Sequence, residues 1–271
     1  MRLIEESRYL TFSGVRVHFC VVRPDTPVHD RMLLLSSPLI NTFHWRKLLP
    51  ELAELGCLAV LADLPGFGKS DCAAPQGADV YANLIWGVLD DVDRAFGAPM
   101  SMWHLAGHGG ACAAILRMGV QYPDSVKSQI HIAPLFSLAM GRGDAPERWY
   151  DENIRDPRRF SRAMEQLSGF PMDDYIVDRM RAPLLRPGAR GAFGRMARRL
   201  ASPPREGMGF CPTMALLGGR DPLLDEVRLR QVRSLLPDAE VHRLASSGHF
   251  PMETHSKALR DYLRGWLRYN A

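Results

Sequence analysis

The chain has 271 residues, 46% hydrophobic and 24% charged, with a formal net charge of +4. That composition supports a packed globular core. No stretch approaches the roughly 18 to 20 apolar residues that span a membrane. The N-terminus MRLIEESRYL has acids where a signal peptide has its apolar region, so the protein is expected to be soluble and cytoplasmic. The cysteines Cys20, Cys57, Cys72, Cys112 and Cys211 are scattered, and none forms a CxxC pair. That excludes a disulfide framework or a zinc site and points to buried apolar thiols.

In chain order, Arg16 to Val22 alternates β-branched and aromatic residues and reads as a strand. Met32 to Leu35 and Cys57 to Ala62 are short apolar runs between turn residues, as in buried parallel strands. Between them, Leu48, Leu49, Leu52 and Leu55 fall on one face of a helix over Trp45 to Leu55. Val80 to Phe96 reads as an amphipathic helix. Met100 to Ala106 reads as a strand feeding a helix that runs through Met118. Gln129 to Ala133, Thr213 to Leu217 and Glu240 to Leu244 are later strands. Leu224 to Leu236 and Met252 to Trp266 are the last helices. The alternation predicts an α/β fold with a mainly parallel sheet covered on both faces. Residues 136 to 205 break the rhythm and are expected to form a helical insertion, leaving 1 to 135 and 206 to 271 as the core. Within it, residues 179 to 205 hold eight arginines and no acid.

A strand that turns tightly into a helix projects one side chain on an elbow and aims the first helical N–H groups at whatever binds there. Here the elbow is Gly107-His108-Gly109-Gly110-Ala111. Downstream lie Asp221 in GRDPLLD and His249 in SSGHFPME. The block Asp63-Leu64-Pro65-Gly66-Phe67-Gly68-Lys69-Ser70-Asp71 is similar to the DxPGxGxSD turn of capped α/β-hydrolases such as epoxide hydrolases, dehalogenases and lactonases. GRDPLLD resembles the acid turn of that family, and GHFPMET its histidine turn. The resemblance covers nearly the whole chain. It implies an α/β-hydrolase fold with an eight-stranded sheet, a helical cap over 136 to 205, and a chain order of nucleophile, acid and histidine.

The departures from the family pattern cluster at the chemistry. The family elbow is GxSxG or GxDxG, whereas Gly109 stands at the nucleophile position and Ala111 replaces the last glycine. Ser36-Ser37 stands where the family has His-Gly. Pro38, with no N–H, occupies the oxyanion-donor position and leaves Gly110 as the donor. In subtilisin, loss of the serine costs about 10⁶ in rate, and loss of one oxyanion donor about 10² to 10³. Ordinary serine esterase activity is therefore not expected.

His249 and Asp221 are read as a retained dyad, with Asp221 fixing the tautomer and His249 acting as general base or acid. The bland alternative is a hydrogen bond that merely ties two loops. Ser36, Ser37 and Cys112 are candidates for a relocated nucleophile. A strand-ending turn and inert packing are their ordinary readings. His108 occupies a position where the family often has histidine and carries little information. The arginines read first as a solvated helical face, with an anionic substrate or an acidic partner as the functional alternative. Met140, Met164, Met172, Met180 and Met196 fit either an adaptable pocket or core filling.

Three functions follow. One is a nucleophile-free enzyme acting on a small, largely apolar metabolite by lyase, isomerase, cyclisation or water-activating chemistry. The second is a pseudoenzyme that binds a ligand or a protein. The third is a hydrolase with a relocated nucleophile. No cofactor, metal or nucleic-acid motif is present in the sequence, since GHGGA is not GxGxxG and the histidines lack ligand spacing.

Overall fold

The computed structural model describes residues 2–73, 77–97, 102–137, 140, 143–199 and 211–270. Strands β1 (Leu3–Phe12), β2 (Val15–Pro24), β3 (Asp30–Ser36), β4 (Cys57–Asp63), β5 (Trp103–His108), β6 (Val126–Ile132), β7 (Thr213–Gly218) and β8 (Glu240–Leu244) form one sheet. Their order is β1-β2-β4-β3-β5-β6-β7-β8. The pairings β1–β2 and β2–β4 are antiparallel and the remainder parallel. Every residue of β4 and β5 is buried, as continuous apolar runs covered on both faces must be. β1 lies outside the expected strands. It is an edge strand with no fully buried residue, so its apolar signal is weak.

The helices are α1 (Leu49–Glu54), α2 (Ala78–Ala95), α3 (Cys112–Gln121), α4 (Ala145–Asn153), α5 (Pro157–Ser168), α6 (Asp174–Leu184), α7 (Ala189–Arg199), α8 (Glu226–Leu235), α9 (Pro251–Thr254) and α10 (Ser256–Tyr269). The helix expected from Trp45 starts instead with a 3₁₀ turn over Thr42–Trp45. The one expected over Met252 to Trp266 is broken at His255, whose backbone is not helical. None of the described helices is long and apolar enough to cross a membrane. Among the described residues, Cys20, Cys57, Cys72 and Cys112 are buried free thiols and Cys211 is half-buried.

The DLPGFGKSD turn is organised by one carboxylate. Asp63 ends β4, and its Oδ1 accepts from the Thr42 N–H at 3.0 Å. Its Oδ2 accepts from the Lys69 N–H at 3.0 Å and from His18 Nδ1 at 2.8 Å. Gly68 has φ +53°, and any Cβ there would overlap the Asp63 carboxylate, so this position requires glycine. His18 is buried on β2. Burial opposes its charge, but the Asp63 carboxylate outweighs burial and lifts its pKa to about 9. A raised pKa stabilises the fold fully below the unfolded value near 6.5, and that contribution is lost as pH rises through about 9. Thermal melts should therefore show wild type losing on the order of 3 kcal/mol between pH 7 and 10. His18→Gln should flatten that slope, and an equal slope in both proteins would disprove the assignment.

Helices α4 to α7 connect β6 to β7. The first begins at Ala145, while Phe136 packs in the core with Cys112 and Leu217. The expected boundary at 205, and Arg205 itself, lie outside the described residues. The arginines here do more than cover a solvated face. Arg186 donates to the Gly68 carbonyl, and Arg195 donates to the Cys72 carbonyl at 2.7 Å, so both fasten the insertion to the glycine turn. Arg181 donates to the Ile154 carbonyl, while Arg190 and Arg198 pair with Asp151 and Glu147. Charge-assisted bonds to carbonyl oxygens explain why arginine, with its forked donors, recurs in this segment.

Candidate active site

The site is assembled from the C-terminal ends of β3, β5, β7 and β8. After β5 the chain turns through a 3₁₀ step, Gly109–Ala111, into α3. Gly107 packs tightly there, since a Cβ would stand 3.1 to 3.2 Å from Ile115 and the Ala111 carbonyl. Gly109 sits in the left-handed region, φ +54°. Ala111 is right-handed helical, so the departure from glycine costs no backbone strain.

A Cβ built on Gly109 would stand 3.3 Å from His249 Nε2, 3.3 Å from Ser37 Cβ and 3.5 Å from Ser37 Oγ. The point where a nucleophile's side chain begins is thus faced by the free nitrogen of His249 and by the Ser37 hydroxyl. His249 Nδ1 donates to Asp221 Oδ2 at 2.7 Å. The other oxygen of Asp221 accepts from the Leu223 N–H at 2.9 Å, which fixes the carboxylate's rotation. Both side chains are buried. Gly218 and Gly219 allow the acid turn and the histidine turn to touch, because a Cβ on either would overlap the carbonyls of Gly248 or Ala245.

His108 links these parts. Its Nε2 donates to the His249 carbonyl at 2.7 Å, so the proton sits on Nε2. Complete burial, followed by the nearby His249, holds its pKa well below the ordinary value, so the ring is neutral. Nδ1 therefore carries a lone pair, and the Ser37 hydroxyl donates to it at 2.9 Å. Sequence alone places His108 among the pocket residues with little information attached, yet it is the residue that orients Ser37 and supports the backbone of His249. The insertion also reaches the histidine turn. The His249 N–H donates to the Leu167 carbonyl at 2.7 Å, and a Cβ on Gly248 would overlap the Ser168 carbonyl.

The remaining candidates separate clearly. Ser36 Oγ accepts from Trp45 Nε1 at 3.0 Å and does not line the cavity. The Cys112 thiol donates to the Gly107 carbonyl at 3.2 Å, and burial pushes its pKa up. It packs with Leu116 and Phe136 and does not line the cavity either. The structure thus brings neither to the cavity: the Ser36 oxygen is taken up by an indole, and burial keeps the Cys112 thiol protonated. Pro38 and Gly110 stand on the cavity wall with Ser37 and His249, and Pro38 has no N–H to offer there.

The cavity measures about 300 Å³. Its far walls are apolar and include Trp149, Leu167, Phe193 and Met196 from the insertion. Of the five methionines singled out in the sequence, Met140 and Met196 line it, while Met164 and Met180 are buried in the core. The site therefore combines one basic nitrogen, one oriented hydroxyl and an apolar chamber small enough to enclose a compact ligand.

Solved structures share this architecture. A serine hydrolase from the polyaromatic-hydrocarbon-degrading bacterium Cycloclasticus zankles is 16% identical. The alignment covers 97% of this chain and 98% of that one, with a TM-score of 0.77. The epoxide hydrolase CorEH is also 16% identical, over 96% of this chain and 97% of its own, with a TM-score of 0.76. Est816, an N-acyl homoserine lactone degrading enzyme, is 16% identical over 95% and 99%, again at 0.76. At such identities these likenesses establish the fold. The family model of the alpha/beta hydrolase family matches residues 39–262, most of the chain, and the protein belongs to that family.

Proposed function

We propose that this is an α/β-hydrolase-fold enzyme that works without an elbow nucleophile. In this reading His249, oriented by Asp221, is a general base and acid toward a small, largely apolar molecule held beneath α4 to α7, which serve as a cap. The observation that carries the reading is the pairing of a kept dyad with an empty-handed elbow. Nδ1 of His249 is tied to Asp221 at 2.7 Å, while its Nε2 faces a glycine at the nucleophile position. A dyad preserved for packing alone would not need an exposed lone pair directed at the cavity. Lyase, isomerase, cyclisation or water-activating chemistry each require only such a proton carrier.

A relocated nucleophile at Ser37 fits less well. Its proton is donated to His108, and that ring would have to become charged at full burial to accept it. A binding-only protein is favoured by one feature, the missing donor at Pro38, which weakens oxyanion chemistry but leaves proton transfer at His249 untouched.

The test is to incubate wild type and His249→Ala with a panel of small hydroxy, carbonyl and lactone compounds, following products and the intact protein mass. We expect turnover that falls about 10² to 10⁴-fold in His249→Ala, with no covalent protein adduct. An acyl adduct on wild type, or turnover that survives the substitution, would refute the reading.

A further inference from the structure

The polar end of the cavity has an unusual polarity, which can be worked out donor by donor. Ser37 has one O–H, and it is committed to His108 Nδ1. That commitment is enforced from the far side of the ring, where Nε2 must donate because its partner is the His249 carbonyl. The Ser37 oxygen therefore offers only lone pairs to the cavity. His249 uses Nδ1–H on Asp221, which leaves Nε2 as the ring's lone-pair position whenever the imidazole carries one proton. These two acceptors lie 3.5 Å and 3.3 Å from one point, the place where a Cβ on residue 109 would stand. Pro38 removes a backbone donor from the same wall, whereas Gly110 keeps an N–H at the start of the 3₁₀ turn. A site built for an ester carbonyl presents donors to an oxygen that gains negative charge. Here two acceptors converge on the point where a nucleophile's side chain would begin.

We propose that the space beside Gly109 receives a hydroxyl of the ligand, and that the ligand is a small apolar molecule bearing one enol or phenol group. The hydroxyl donates to His249 Nε2, with Ser37 Oγ as the second acceptor, while its oxygen accepts from the Gly110 N–H. A protonated amine has no lone pair for that last bond, and an ether or ester carbonyl would place its oxygen against two acceptors. The step this enables is a single proton transfer. The O–H bond breaks, its electron pair stays on the ligand oxygen, and an Nε2–H bond forms on His249, whose charge Asp221 offsets. Enols and phenols are chosen over simple alcohols because proton transfer is effective when donor and acceptor are closely matched in acidity. The rest of the molecule meets Trp149, Phe193 and Met196, which suits a planar or compact apolar body.

This inference rests on the general-base reading of His249, and the experiment separates the two. Calorimetric titration of wild type with 2-naphthol and with 2-methoxynaphthalene compares a donor with its methyl ether on the same apolar frame. We expect 2-naphthol to bind at least about tenfold more tightly, the equivalent of about two hydrogen bonds to neutral partners. Ser37→Ala should reduce that ratio about threefold, and His249→Ala should bring it near one. Equal binding of the two probes, tighter binding of the ether, or no binding of either would overturn the hydroxyl assignment. None of those results touches the dyad, because binding is read without turnover. The visible spectrum of bound 4-nitrophenol, a phenol whose acidity is close to that of imidazole, reads the base separately. A larger 4-nitrophenolate band on binding to wild type than to His249→Ala at pH 6 supports proton transfer, whereas tenfold tighter naphthol binding with no such difference keeps the recognition and rejects His249 as the base.

Discussion

Gly109→Ser should turn a protein that is silent toward fluorophosphonate probes into one that labels at residue 109. The added Cβ lands 3.3 Å from His249 Nε2, so the new hydroxyl is within one bond of a base already fixed by Asp221. Hydrolysis of activated esters should appear with it. The gain has a ceiling, because Pro38 supplies no oxyanion N–H and one missing donor is worth about 10² to 10³ in rate. There is a stability cost too. Residue 109 has φ +54°, where a side chain costs about 1 to 2 kcal/mol relative to glycine. The melting temperature should fall by about 2 to 8 °C. Labelling of wild type at Ser37 would show instead that a nucleophile was present all along. A Gly109→Ser protein that folds, melts slightly lower and labels nowhere would show that the dyad is not aligned for proton transfer.

Gly248→Ala should disable the histidine turn from the side of the insertion. An added methyl would overlap the Ser168 carbonyl, so either α5 or the turn must retreat. Retreat strains the 2.7 Å bond between the His249 N–H and the Leu167 carbonyl. Overpacking of this kind costs about 1 to 3 kcal/mol. A displacement of about 1 Å at a reacting group costs about 10² in rate. The Gly109→Ser background provides the readout, since its ester hydrolysis needs no knowledge of the natural ligand. Ester hydrolysis by the double variant should fall about 10²-fold below that of Gly109→Ser alone. Unchanged activity with an unchanged melting temperature would mean that α5 does not hold His249.

Much of this site could be read from local sequence. GHGGA after an apolar run locates the elbow, and GRDP and SSGHFP locate the acid and histidine, because each is a short glycine-bearing turn written in consecutive residues. What escaped was determined by contacts distant along the chain. His108 reaches Ser37 and the His249 carbonyl, 71 and 141 residues away, and no short motif encodes that pairing. The distinction between Ser36 and Ser37 depends on strand alternation, which sends one hydroxyl to Trp45 and the other to the cavity. Arginines that look like a charged surface by composition turn out to grip carbonyls of the glycine turn, and spacing gives no hint of a backbone acceptor. β1 was invisible for a simpler reason. An edge strand buries too little to leave an apolar imprint.

The bond from Leu167 to His249 also bears on size selection. The wall that bounds the cavity and the support that holds His249 are the same piece of chain, because Leu167 lines the cavity and holds the histidine turn with its carbonyl. A molecule that fits leaves both in place. On the proposed function, a bulkier one that presses on Leu167 would push α5 outward and release the His249 N–H. Oversized ligands would then be rejected by detuning the machinery after they arrive, and discrimination would show up in turnover more than in affinity.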